Sequence, residues 1–89
     1  MKVCYIAKVS GTVQGVYFRA SAQNQAIDHG LSGYAHNQDD GSVEVMVCGE
    51  NDNVQQMLKW LEVGPEEADV ESVEINQTNT RDINHFSIG

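Results

Sequence analysis

The order in which apolar periodicity changes along the chain constrains its fold more than any single motif. Residues 3–9 alternate Val3, Tyr5, Ala7 and Val9 against Cys4, Ile6 and Lys8, a period of two that predicts a strand with one largely apolar face. After Gly11 and Gly15 the period lengthens. Phe18, Ala22 and Ala26 recur every fourth residue, predicting a helix over 18–29 that Gly30 ends. Residues 31–37 (LSGYAHN) return to extended character, QDDG reads as a turn, and Val43, Val45 and Val47 alternate with Glu44, Met46 and Cys48, completing a hairpin. A second helix follows, with N-cap side chains on offer from Asn51 to Asn53, an apolar stripe of Val54, Met57, Leu58 and Leu61, and Gly64 and Pro65 to stop it. Residues 68–75 (ADVESVEI) read as a half-buried strand, in which the uneven spacing of Val70, Val73 and Ile75 predicts a bulge. Phe86 and Ile88 predict a short final strand.

Strand, helix, strand, strand, helix, strand is the βαββαβ ferredoxin-like order, an α+β sandwich in which two right-handed crossovers lay both helices on one face of an antiparallel sheet. The short last strand is an addition to it. Eighty-nine residues allow one such unit, a single domain spanning 1–89. Leu, Ile, Val and Phe supply 21 residues, enough for one core and above the level that signals disorder. No apolar run reaches the length of a membrane span, and MKVCYIAKVSG has polar breaks too early for a secretory signal, so the expectation is a soluble, cytoplasmic monomer.

The formal net charge of −8 argues against nucleic acid and anionic membranes as partners. Its distribution is uneven. Residues 1–27 hold Lys2, Lys8 and Arg19 and no acid, while residues 28–89 hold all 13 acids against Lys59 and Arg81. A locally positive N-terminal third on an acidic body admits a small anion while repelling extended ones. Following chain direction through the predicted order brings the loop after the first strand and the end of the second strand, near Asn37, to one edge of the sheet.

At that edge lies SGTVQGVYFR, with Gly11 and Gly15 in the loop and Arg19 in the first helical turn. Glycines admit positive φ, letting successive backbone N–H groups converge into an anion-binding nest. The helix N-terminus adds unpaired donors, and a guanidinium adds a bidentate partner for phosphate oxygens. Such loops also carry glycine for steric reasons alone. Asn37 points to the opposite side of its strand from His36, and its neutral carboxamide suits the positioning of water beside a phosphoryl oxygen; an Asn before a turn also commonly satisfies local backbone groups.

What is missing narrows the chemistry. Neither cysteine is followed by an arginine six residues on, no GxxxxGK[ST] run is present, and His29, His36 and His85 lack metal-ligand spacing, so no metal and no cofactor are implied. Phosphoryl transfer without a metal, a covalent nucleophile or a general acid requires a leaving group that departs readily. An acyl phosphate qualifies, because its carboxylate has a pKa of about 4 to 5, roughly ten units below that of an alcohol.

Here the residues resemble the acylphosphatase family. GTVQGVYFR, Gly11 to Arg19, is similar to that family's G-x-V-Q-G-V-x-F-R signature, and GYAHNQDDGSVEVMVCG, Gly33 to Gly49, to its second one, with Asn37, Gly41, Val43 and Gly49 at the expected spacing. WLEVGP and the FxI ending extend the likeness over nearly the whole chain. The resemblance implies hydrolysis of the carboxyl-phosphate bond of small acyl phosphates, such as acetyl phosphate, carbamoyl phosphate or 1,3-bisphosphoglycerate, to a carboxylate and inorganic phosphate. It implies catalytic roles for Arg19 and Asn37. Arg19 would clamp the phosphoryl group with the amides of Gln14, Gly15, Val16, Tyr17 and Phe18; Asn37 would orient the attacking water, and the substrate phosphate itself would act as base. His36 and Thr12 depart from the family's more basic residues at those positions.

The alternative is a non-catalytic module that binds phosphate or carbamoyl phosphate with the same loop. An RNA-binding sheet ranks last, since aromatics are present but a basic face is not. Cys4 and Cys48 fall on neighbouring strands and on the same open face, where a disulfide is sterically allowed and a reducing cytoplasm opposes it, so their pairing stays open. Asp39 and Asp40 read as turn residues and Lys8 as a solvated strand residue.

Overall fold

In the computed structural model, which describes residues 1–89, the chain forms β1 (Lys2–Thr12), α1 (Phe18–Asp28), β2 (Ser32–Asn37), β3 (Val43–Glu50), α2 (Asn51–Leu61), β4 (Asp69–Thr78) and β5 (Phe86–Ile88). The sheet order is β4-β1-β3-β2-β5. The first four strands pair antiparallel, as the ferredoxin-like order requires, whereas β5 pairs parallel with β2, so the five-stranded sheet is mixed. The antiparallel part is the expected four-stranded sheet, and the short added strand alone makes it mixed. No helix is long and apolar enough to cross a membrane.

The period-two positions become the core. Val3, Ala7 and Val9 of β1 and Val43, Val45 and Val47 of β3 face the helices and meet Phe18, Ala22 and Ala26 of α1 and Val54, Met57, Leu58 and Leu61 of α2. Helix α1 ends where Gly30, at φ 66°, takes the left-handed conformation. The Gly30 amide donates to the Ile27 carbonyl and the Leu31 amide to Ala26, the paired bonds of a Schellman stop. Helix α2 starts one residue earlier than its asparagines predict. Glu50 is the N-cap and gives no side-chain bond, while Asn51 already accepts from Gln55 one turn on and its amide donates to the Met1 carbonyl.

In β4 the register slips between Ser10 and Gly11, which pair with Ser72 and Val70, so Glu71 is the bulged residue. Gly33 permits the close approach of β2 to β3: at φ 141°, a Cβ there would overlap the Met46 carbonyl oxygen. No other residue fits.

The face away from the helices carries a small cluster of its own. Cys4 and Cys48, directly opposite in the β1–β3 register, are joined by a disulfide and pack with Met46, beneath Ile83 of the segment that leads into β5. Farther along, Tyr34 stacks on His36, with ring centroids 4.4 Å apart, and its hydroxyl donates to Glu44 Oε2 at 2.7 Å. Burial, the Glu44 hydrogen bond and the Glu44 charge push the Tyr34 hydroxyl up to about 12.

Two expectations follow from this face. The crosslink spans a sequence separation of 44, worth roughly 4 kcal/mol in the chain-entropy model, so reduction, or Cys4→Ala with Cys48→Ala, should lower the unfolding free energy in urea by about 2–4 kcal/mol. Because folding raises the Tyr34 pKa, the stabilisation it gives is complete below pH 10 and is lost as pH rises toward 12. An alkaline absorbance titration should therefore contain a late tyrosinate step near pH 12 that disappears in Tyr34→Phe.

Candidate active site

The loop between β1 and α1 is shaped by two left-handed residues. Gly15 has φ 76° and Tyr17 has φ 60°, the latter being the chain's one non-glycine residue at positive φ. Tyr17 is also the N-cap of α1, and in that conformation it offers no side-chain capping bond. The helix therefore begins with its first amides uncapped. None of the seven backbone N–H groups from Gln14 to Ala20 donates to a backbone carbonyl; the first that does is Ser21, to Tyr17. Buried, such donors would be costly, but Gly15, Tyr17 and Ala20 are exposed at the rim, where a small anion can reach them.

Side chains hold this loop in place. Val13 and Phe18 are 1% exposed and anchor the loop in the core, and the Phe18 ring packs 5.8 Å from that of Trp60. The Gln14 carboxamide donates two hydrogen bonds, to the Gln38 carbonyl at 2.8 Å and the Ser42 carbonyl at 2.9 Å, tying the loop to the β2–β3 turn. Arg19, half-buried, donates to the Gly89 carbonyl, and the Gly89 amide in turn donates to Ala35 of β2. Both tethers reach the end of β2.

Asn37 is the last residue of β2 and is exposed. It pairs in register with Val43, a core residue, so its side chain leaves the sheet on the helix-covered side, the side from which Arg19 approaches. Arg19 and Asn37 thus belong to one edge and one face, as the chain-direction argument requires. They do not line the same depression. Arg19 borders a hollow of about 300 Å³ with Gly15, Tyr17 and Phe18. Asn37 borders a polar one of about 430 Å³ with Lys8, Asp40 and Glu44.

The turn beside Asn37 is held by contacts of Asp40. Asp40 accepts from both the amide and the hydroxyl of Ser42, at 3.0 and 2.6 Å, and from the Lys8 ammonium at 2.8 Å. Lys8 and then Ser42 hold the Asp40 carboxyl well below the usual carboxylate range, and the same contact raises Lys8. Lys8 is accordingly not a free solvated residue but an exposed ion pair that pins the turn; solvent screening keeps its energetic worth small. The Gln14 bridge, the Gly89 support for Arg19 and the Lys8 pair escape the sequence reading, because each is a long side chain reaching across a gap that no periodicity encodes. The nearest signal was Gln14 itself, a carboxamide in a loop that ends at the hairpin's edge.

A profile of the family described as Acylphosphatase matches residues 5–88. The acylphosphatase of Colwellia psychrerythraea is 53% identical over 89 residues, covering the whole of both chains. Among solved structures, that of an acylphosphatase from Coxiella burnetii superimposes with a TM-score of 0.95 at 35% identity over 99% of this chain and 93% of that one. The acylphosphatase from Bacillus subtilis does so at 0.91 and 31% identity, over 98% of each. With the family profile covering nearly all of the chain, relatives alike over their full length and the same fold around an uncapped loop facing the end of β2, this chain belongs to the acylphosphatase family.

Proposed function

We propose that this chain hydrolyses small acyl phosphates, with the phosphoryl group seated on the amides of Gln14, Gly15, Val16, Tyr17 and Phe18 and the guanidinium of Arg19, and with water oriented by Asn37. The observation that carries the reading is that no amide from Gln14 to Ala20 donates to a backbone carbonyl, in a loop that Gln14 holds against the turn that follows Asn37. Family membership supports the reaction class.

In this reading the amides and Arg19 gather negative charge from the three non-bridging oxygens, in fixed positions that need no rearrangement as the transition state forms. Releasing Arg19 from the Gly89 carbonyl frees donors for the phosphoryl oxygens. The Asn37 carboxamide accepts a hydrogen bond from the attacking water and holds it in line with the scissile P–O bond. Water oxygen bonds to phosphorus, the P–O bond to the acyl group breaks with its electron pair leaving on the carboxylate, and the water proton passes to a phosphoryl oxygen. No side-chain base is asked for, which suits a site where Asp40, in the turn after Asn37, is bound up with Lys8 and Ser42. All groups come from one chain, which supports a monomer, and the burial of Cys4 and Cys48 would shield their crosslink from soluble thiols in a cytoplasmic setting.

A binding module using the same loop would share the affinity for phosphate but not the turnover. Arg19→Ala should lower kcat/KM for acetyl phosphate by on the order of a thousandfold and abolish the rise in melting temperature that inorganic phosphate gives the parent protein. Asn37→Ala should cut kcat by on the order of a hundredfold or more while leaving phosphate protection intact. Protection of the Arg19 variant equal to that of the parent would remove the arginine from this role. A parent that binds phosphate and does not hydrolyse acetyl phosphate above buffer would be the binding module.

A further inference from the structure

The Lys8–Asp40 ion pair is exposed and adds little stability, yet its geometry is selective. In register, Lys8 stands between Glu44 of β3 and Glu74 of β4, and the hollow it borders is also lined by Asp39; of these acids and Asp40, only Asp40 lies in ion-pair contact with it. Asp40 precedes Gly41, whose φ of 93° asks for glycine although a Cβ there would meet nothing within 4 Å. Aspartate followed by glycine is the dipeptide most open to internal attack. With no Cβ to crowd it, the glycine nitrogen can bond to the side-chain carboxyl carbon before it and close a five-membered imide. The structure opposes that closure at both reacting atoms. The Asp40 carboxylate accepts from the Ser42 amide at 3.0 Å and the Ser42 hydroxyl at 2.6 Å, and Lys8 favours its anionic form, from which oxygen does not readily leave. The nucleophile is engaged as well, since the Gly41 amide donates to the Gln38 carbonyl at 3.1 Å.

We propose that Asp40–Gly41 is a latent isoaspartate modification site and that Lys8 and Ser42 hold it closed. In the step itself the Gly41 nitrogen bonds to Asp40 Cγ, the Cγ–OH bond of the neutral carboxyl breaks, and the hydroxyl leaves as water with the proton that the amide gives up. Water then opens the imide. Addition at Cγ restores aspartate, whereas addition at the Asp40 main-chain carbonyl leaves Gly41 joined through the side chain, a β-linked peptide of unchanged mass with a free α-carboxylate. The main chain thereby gains a carbon between Asp40 and Gly41. That insertion falls inside the span from Gln38 to Ser42, whose two carbonyls the Gln14 side chain grips, so isomerisation loosens the tether of the β1–α1 loop.

The test incubates the folded parent, the parent unfolded in guanidinium chloride, Lys8→Met, Ser42→Ala and Asp40→Glu under the same warm, near-neutral conditions, and measures isoaspartate at this position by peptide mapping and enzymatic carboxyl methylation. The unfolded chain should isomerise fastest and the folded parent more slowly by on the order of tenfold or more, tenfold being the factor that each pKa unit places on the neutral, reactive carboxyl. Lys8→Met and Ser42→Ala should each isomerise severalfold faster than the parent while still folded, and Asp40→Glu, whose longer side chain closes a less favourable ring, should give none. In the isomerised fraction of the parent, the NMR signals of the Gln14 side-chain amide should move. A folded parent that isomerises as fast as the unfolded chain, a Lys8→Met or Ser42→Ala rate equal to the parent's, or an unfolded chain free of isoaspartate at this position would each overturn the proposal. Unmoved Gln14 signals would overturn its consequence for the loop.

Discussion

A loop can present a run of unbonded amides only if something other than those amides holds it still. That constraint organises this molecule. From Gln14 to Ala20 the backbone makes no donor bond to another peptide, so the fixed points are side chains: Val13 and Phe18 sunk in the core, Gln14 gripping two carbonyls of the β2–β3 turn, and Arg19 resting on Gly89. The two left-handed residues, Gly15 and Tyr17, bend the chain here, and Tyr17 leaves α1 without a side-chain cap. A conventional capping side chain at Tyr17 would satisfy one of the donors that an anion would otherwise use.

The sheet supplies the second half of the arrangement. Because β1 and β2 both run toward the same edge, and β3 turns back between them, the loop after β1 and the end of β2 become neighbours although 24 residues separate Gln14 from Gln38. Strand β5 covers the outer edge of β2 with three parallel residues and carries Gly89 to the position where Arg19 meets it. The Cys4–Cys48 crosslink fastens β1 to β3 away from this edge, in a cluster separate from the main core.

Most of the fold was legible because it follows from periodicity. Alternating Val3, Ala7 and Val9 and the valines of β3 did become the core face, the uneven valines of β4 did mark the bulge at Glu71, and Gly30 did stop α1. The parity that put Cys4 and Cys48 on one face also anticipates their register partnership. What periodicity does not carry is the reach of side chains. Asn51 was a natural capping residue, yet its backbone is taken by Met1 and its side chain by Gln55, so the helix starts on an uncapped Glu50. Lys8 reads as solvated until the turn folds back and brings Asp40 within 2.8 Å. Of the site, the residue types and the shared edge were readable, whereas the two hollows, one bordered by Arg19 and one by Asn37, depend on surface shape that no sequence pattern records.

The central claim is that the loop amides and Arg19 form the phosphoryl seat, and proton–nitrogen correlation NMR during titration with inorganic phosphate tests it amide by amide. The account predicts saturable downfield shifts concentrated on Gln14 through Phe18, accompanied by the Arg19 guanidinium. Saturable shifts centred instead on Lys8 and the β2–β3 turn, or around Lys59 and Arg81, with the loop amides unmoved, would contradict it.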